Sequence, residues 1–155
     1  MTTARRRALA MVAVVVGSSL LAGCVGLFPE SGRFEDPSGL QRNDGQISFL
    51  LCETGEVSLA LLEERNTDEG RDWVTIVQAE GDALITSGVP YSQDSLPGGL
   101  FASINTTAVL DPGADYYLLV QTSEGTIRAA FTAPDGLPTN GWLAPDGTVT
   151  ADPCQ

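Results

Sequence analysis

The sequence predicts an all-β protein whose main domain is a single antiparallel β-sandwich. From residue 46 onward, short β-prone runs recur, and turn-forming Gly, Pro, Asn and Asp separate them. Two of these runs alternate between an apolar face and a second face, which is typical of strands buried on one side. The span 46–155 is of a size that suits one domain, and no internal repeat is visible in it.

Seven runs are predicted as strands. They are 46–53, 57–64, 73–79, 82–87, 100–110, 115–122 and 126–132. The second run, VSLALLEE, has helical propensity, but turn signals on both sides favour a strand. Trp73 begins the predicted strand 73–79, and this setting predicts that it lies in the core. Trp142 and Leu143, in the C-terminal segment, are predicted to cap the core; the alternative is an apolar spot for a partner.

The first 23 residues have the organisation of a secretory signal. Arg5, Arg6 and Arg7 precede an apolar run, and small residues end it. A membrane span needs about 20 apolar residues, and this run is shorter and is interrupted by Gly and Ser. We therefore expect export rather than a transmembrane helix.

The end of this segment, Leu21-Ala22-Gly23-Cys24, resembles the lipobox of bacterial lipoproteins. The resemblance implies that the Cys24 thiol receives a diacylglycerol and that cleavage makes Cys24 the N-terminus. Two or more acyl chains give stable anchoring where one gives marginal binding. The alternative is an ordinary secretory signal with a chance cysteine. The expected location is the extracytoplasmic face of the cell membrane.

Residues 24–45 are predicted to be a lipidated tether, because they are rich in Gly, Pro, Ser and charge. About 20 flexible residues have an r.m.s. reach of roughly 25 Å. Phe28, Phe34 and Leu40 are the residues that would dock onto the domain. No first strand is evident before Gln46, so the sandwich with its C-terminal extension is assigned to 46–155.

The segment LDPGADYYLLV resembles a corner of fibronectin type III domains, in which a Leu-x-Pro-Gly turn precedes a tyrosine. The matching residues are Leu110, Pro112, Gly113 and Tyr116. The resemblance implies a fibronectin type III or immunoglobulin-like sandwich with a tyrosine corner, where the phenol hydroxyl bonds to backbone upstream. It covers roughly residues 46–133.

Two cysteines remain besides Cys24. In an exported domain, Cys52 and Cys154 are expected to form a disulfide. The chain-entropy model gives such a bridge a stabilisation of roughly 4–5 kcal/mol, because its loop spans about 100 residues. The alternative, a reactive thiol at Cys52, would need nearby positive charge, and its neighbours are Leu51 and Glu53.

Charge and composition exclude several classes of function. The full chain has a formal charge of −12, and without residues 1–23 it keeps 5 arginines and 20 acidic residues, or −15. Such a surface repels nucleic acid, so we expect no nucleic-acid partner. Histidine and lysine are absent, which excludes Ser–His–Asp, Cys–His and Ser–Lys nucleophile systems and histidine-ligated zinc.

Acidic residues supply the remaining candidate sites. Asn66, Asp68, Glu69 and Asp72 crowd one loop and could chelate Ca²⁺, although their spacing is not that of an EF-hand and a solvated hairpin tip explains them as well. Carboxylate pairs could in principle hydrolyse glycosides, but no aromatic sugar platform is evident. We expect no cofactor, no resident metal and no enzymatic activity.

The expected function is a non-catalytic accessory module that binds another protein of the cell envelope. The polar loops 65–71 and 88–99 are the predicted contact sites. The alternative is a lipoprotein that binds a small ligand or Ca²⁺.

Overall fold

Ten strands in two antiparallel sheets make up the described part of the chain, residues 36–66 and 72–155 of a computed structural model. The strands are β1 (Ser38–Asn43), β2 (Gln46–Leu51), β3 (Gly55–Asn66), β4 (Val74–Ile85), β5 (Pro90–Ser92), β6 (Leu100–Asn105), β7 (Ala114–Thr122), β8 (Thr126–Ala133), β9 (Trp142–Leu143) and β10 (Val149–Thr150). The larger sheet has the order β6-β4-β3-β7-β8, and the smaller has the order β10-β9-β1-β2-β5. The predicted β-sandwich is confirmed.

Alternation of side chains sets which face of each strand is buried. In β7, Ala114, Tyr116, Leu118 and Val120 are buried, while the residues between them are half-buried. The inner face of β8 follows the same period of two. These residues form one core with Leu40, Ile47, Phe49 and Leu51 of the smaller sheet.

A first strand does exist, in the span predicted to be tether. β1 pairs along its whole length with β2, and Leu40 is fully buried. Asp44 and Gly45 join the two strands with φ angles of 49° and 82°. Positive φ at both central residues is typical of a type I′ hairpin, for which Asp-Gly is a preferred sequence. The β-domain therefore begins at least eight residues before Gln46.

Two predicted strands are one. The runs 73–79 and 82–87 join in β4, whose pairing with β3 shifts register opposite Gly81. The φ of Gly81 is 147°, and a Cβ there would lie 2.1 Å from the Gly99 carbonyl oxygen. Only glycine fits this close backbone approach, so the interruption in the sequence is a bulge rather than a turn. In contrast, the run 100–110 ends as a strand at Asn105.

The C-terminal extension closes onto the smaller sheet. β9 pairs with β1 through Leu40 and Leu143, and a disulfide joins Cys154 to Cys52, with their Cα atoms 5.1 Å apart. Leu143 is buried, as predicted, and Trp142 is half-buried against Gly39. The tail is thereby held near its middle and at its C-terminal end.

The strand order compares in part with the expected family. The order β8-β7-β3-β4-β6 is that of the G-F-C-C′-C″ sheet of variable immunoglobulin domains. In this chain, however, β5 of the smaller sheet precedes β6. In variable immunoglobulin domains the strand in the position of β6, C″, instead precedes the strand of the other sheet that corresponds to β5. The sheet resembles the family and the connection departs from it.

Candidate interaction surface

Apolar side chains cover part of the outer face of the larger sheet, the face turned away from the core. Leu119 of β7 pairs with Leu61 of β3, and Gln78 of β4 links Leu61 to Ile104 of β6. The next row holds Leu59 and Phe101, both paired to Glu80. We call Leu59, Leu61, Phe101, Ile104 and Leu119 the outer patch.

The outer patch is unusual for a solvated sheet face. Four of its side chains are half-buried, and Phe101 is 76% exposed. An antiparallel sheet that meets solvent on one side normally carries polar residues there. Gln78 and Glu80 of β4, which hydrogen-bond to each other, separate the leucines of β3 and β7 from the two residues of β6. Clustered apolar groups on a surface are typical of interaction sites, whereas single ones need no explanation.

Trp73 lies at one end of this face, together with Arg65 and Tyr117, and we call these three residues the tryptophan cluster. The Trp73 side chain is 40% exposed, so the prediction that it belongs to the core is wrong. The Arg65 guanidinium carbon lies 4.8 Å from the centre of the indole ring. The Tyr117 ring meets the indole edge-on, with ring centres 6.3 Å apart. Opposite Leu62 and Glu63 of β3, the register of β4 shifts, which leaves Ile76 as an extra residue. The inward period of Val77 and Ala79 therefore does not continue to Trp73.

Asp115 holds Arg65 in place. The Arg65 Nη2 atom lies 2.9 Å from Asp115 Oδ2, and the Thr132 hydroxyl donates to the other carboxylate oxygen at 2.9 Å. Arg65, Asp115 and Thr132 occupy paired positions on β3, β7 and β8. Because the pair is partly exposed, it contributes little to stability. Its effect is to fix the guanidinium against the indole.

The tryptophan cluster and the outer patch are continuous. Tyr117 and Leu119 are successive outward residues of β7, and their partners on β3 are Glu63 and Leu61. Tryptophan, tyrosine and arginine are the residue types most enriched at interface hot spots. The two features therefore form one surface, with its aromatic and cationic groups at one end.

Beneath this surface, a buried carboxylate ties the sheet to the predicted tyrosine corner. Glu64 is 6% exposed and accepts the backbone N–H groups of Val109 at 2.8 Å and Leu110 at 2.9 Å. The hydroxyl of the fully buried Tyr116 donates to the same carboxylate at 3.1 Å. The expected bond from phenol to backbone is thus replaced by a bridge through Glu64. Leu110 has a φ of 60°, and the two bonds that Glu64 accepts from the N–H groups of Val109 and Leu110 help to hold this conformation.

Gly113 supplies the turn of this corner. It has a φ of 84°, follows Pro112 and donates its N–H to the carbonyl oxygen of Ala133 at 2.8 Å. The residues on which the resemblance rests therefore do meet at one turn, although no sequence pattern indicated the role of Glu64. In the sequence, Glu64 is the last of the two glutamates that end the run VSLALLEE.

Burial raises the pKa of both neighbouring tyrosines, Tyr116 and Tyr117. Desolvation raises the pKa of Tyr116 far above its usual range, and the negative charge of Glu64 raises it further. Desolvation also raises the pKa of Tyr117, although Arg128 opposes that shift. Both phenols stay protonated at neutral pH, so Tyr116 remains a hydrogen-bond donor to Glu64.

The other predicted site residues lie apart from this surface or outside the described residues. Cys24, Asp68 and Glu69 belong to the latter group. Asp72 is exposed, and the described ranges contain no group of three or more acidic or cysteine residues that could hold a metal ion. Of the two predicted contact loops, 65–71 is described only at Arg65 and Asn66.

Loop 88–99 contributes to a polar cavity of about 370 Å³. Its walls include Gln46, Asp94, Asn105 and Thr107. The buried Gln93 supports it, since its amide accepts from Ile47 N at 3.1 Å and donates to Thr106 O at 2.8 Å. Gln46 donates to the Asp94 carboxylate. Most of these groups therefore satisfy one another.

Within 36–66 and 72–155, no helix is long and apolar enough to cross a bilayer. No protein-family model, curated protein or solved structure matches the chain.

Proposed function

We propose that this protein is a non-catalytic interaction module, anchored by a lipid on Cys24 at the extracytoplasmic face of the cell membrane, that binds another envelope protein. The observation that carries the binding role is the tryptophan cluster beside the outer patch. The anchor rests on the lipobox-like sequence 21–24.

The tryptophan cluster supports protein binding because its groups are exposed and already oriented. Trp73 can be buried by a partner without first leaving a core position, and Asp115 fixes Arg65 at its ring. Little side-chain freedom is then lost on binding, which lowers the cost of association. The contact site proposed here replaces the two loops as the main surface.

The net charge indicates the chemistry of the partner. An acidic domain favours a partner with basic residues around an apolar centre, and opposite charges steer the encounter. The charge of Glu63, which is paired with Tyr117 beside the cluster, fits such a rim.

The test is photo-crosslinking in the native membrane, comparing the wild-type protein with Trp73→Ala. We expect an envelope protein whose recovery falls at least tenfold in the variant, as for a hot-spot residue. Val149→Ala is the matched control, since Val149 is an exposed apolar residue in the smaller sheet. Equal recovery with both variants would refute the role of the cluster.

The anchor is tested separately by Cys24→Ser. This variant should leave the membrane fraction or fail to mature, and retention of an acylated product would refute the lipid assignment.

A second candidate function is binding of a small ligand or Ca²⁺, and the polar cavity beside Asp94 favours the small-ligand version. If that version holds, a ligand from a screen of small polar compounds will raise the thermal midpoint of the wild-type protein and leave that of Asp94→Asn unchanged. A midpoint indifferent to Ca²⁺ removes the cation version.

A further inference from the structure

Three of the four edges of the described sheets are blunted. β5 is three residues long and begins with Pro90, and β10 is two residues long. On β8, Asp36 covers the edge at Arg128: its N–H donates to the Arg128 carbonyl at 3.2 Å, and its carboxylate accepts the Arg128 N–H at 2.6 Å. Short strands, proline and covering groups are the usual means by which proteins protect sheet edges.

The fourth edge, β6, is longer than β5 and β10, and its protection is limited to one bulge at Ser103 and to Asn105, whose side chain donates to the Gln93 carbonyl oxygen. Its six residues, LFASIN, include no charge and no proline, and among the described strands it pairs with β4 alone. Ala102 pairs with the fully buried Ala79 and so lies on the core side of the sheet, yet it is exposed. From Ala102 onward, β6 therefore projects beyond the smaller sheet and is accessible at its edge, whereas Leu100 at its start is buried in the core.

We propose that β6 accepts an extended segment of a partner protein as an added strand, and that this segment carries apolar and basic residues. Strand addition uses backbone hydrogen bonds for affinity and alternate side chains for specificity. Phe101 and Ile104 belong to the outer patch, so the added strand would extend the surface of the proposed function, on which this inference rests.

Charge selects the occupant. Glu80 and Asp82 are exposed on β4, next to β6, and β6 itself offers no counter-charge. A second copy would bring two strongly acidic domains edge to edge, which like-charge repulsion opposes. The backbone of an added strand would lie about 10 Å from that of β4, across β6, and long arginine or lysine side chains would be attracted by these carboxylates. A basic segment of a different protein is therefore favoured.

The test uses the full chain in detergent and a labelled heptapeptide of alternating valine and arginine. Two further peptides each carry one methyl group on a backbone nitrogen near the centre. The nitrogen methylated in one peptide belongs to the residue next to the one methylated in the other. Adjacent N–H groups of a strand point to opposite edges, and an added strand pairs through only one edge. We expect one methylated peptide to bind at least tenfold more weakly and the other to bind within twofold of the parent, while amide exchange slows in residues 100–105.

Several outcomes would overturn the proposal. Equal binding of both methylated peptides, or unchanged exchange in β6, excludes strand addition. Equal binding of a peptide with glutamate in place of arginine excludes the basic chemistry, and protection of β6 that grows with protein concentration alone identifies a second copy as the occupant. Trp73→Ala should bind the peptide normally, so failure at β6 and failure of the tryptophan cluster are distinguishable.

Discussion

Tyr116 and Tyr117 are neighbours in β7, yet they serve the two faces of the larger sheet. Tyr116 is fully buried and donates to Glu64, whereas Tyr117 is half-buried on the outer face against Trp73. The inner face is apolar because it packs on the smaller sheet. The outer face is also apolar in part, although no described element of the domain packs on it as a second layer. A period of two thus identifies the faces of a strand, but it does not reveal what each face contacts.

The largest contrast is expected from the adjacent leucines of β3. Leu62 is 1% exposed in the core, and Leu61 is half-buried in the outer patch. Leu62→Ala should lower the free energy of unfolding by about 2–5 kcal/mol, because it leaves a cavity among close-packed groups. Leu61→Ala should cost about 1 kcal/mol or less, because solvent or neighbouring side chains fill the space.

Urea unfolding of the two variants measures this difference directly. Similar large losses in both would mean that the outer face is a second core, and the proposed binding surface would then be unsupported.

The core side of this contrast was predictable from the sequence. Alternation in the runs 115–122 and 126–132 identified the inner residues of β7 and β8, because a strand places every second side chain on one face. The position of Trp73 was not predictable in the same way. A bulge at Ile76, opposite Leu62 and Glu63, shifts the alternation of β4 by one residue, so the inward period of Val77 and Ala79 does not extend to Trp73, and no turn or glycine signal marks this bulge in the sequence.

Local composition misled the prediction at the first strand. The Gly, Ser and charged residues before Gln46 have the composition of a linker, but burial of Leu40 and pairing with β2 override it. Asp44-Gly45 between two alternating stretches was a usable hairpin signal. For β9 and β10 there was none, because two-residue strands form only by pairing with β1 and with each other.

An intermediate effect is expected from removing each tyrosine hydroxyl. Tyr116→Phe deletes a bond to a buried carboxylate, and hydrogen bonds to charged groups contribute about 1.5–3 kcal/mol. Tyr117→Phe keeps the ring that contacts Trp73 and should change stability by less than about 0.5 kcal/mol. Chemical denaturation at neutral pH gives both values, and an equal cost would remove the distinction between the two faces.

Alkaline pH sharpens the same comparison. Because burial raises the pKa of Tyr116 above its unfolded value of about 10, the unfolded chain loses this phenolic proton first as pH rises. The unfolded state then binds fewer protons, so the free energy of unfolding must fall above about pH 10, by at most about 1.4 kcal/mol per pH unit for this group. Unfolding measured between about pH 9 and 11 should show a steeper loss in Tyr117→Phe, which retains Tyr116, than in Tyr116→Phe. The reverse order would place the more strongly shifted phenol on the outer face.

A small effect on stability is also expected at Arg65, and this residue bears most directly on function. Its contacts with Trp73 and Asp115 are partly exposed, and such cation–π contacts and ion pairs contribute about 0.5–1 kcal/mol each at most. Arg65→Gln should therefore leave unfolding nearly unchanged while it weakens partner recovery as strongly as Trp73→Ala, because the guanidinium no longer braces the indole. A loss of stability above about 2 kcal/mol would show that Arg65 is held for the fold itself. In that case the bond from Arg65 to Asp115 would serve the fold, and the proposal that the tryptophan cluster is a preformed binding surface would be unsupported.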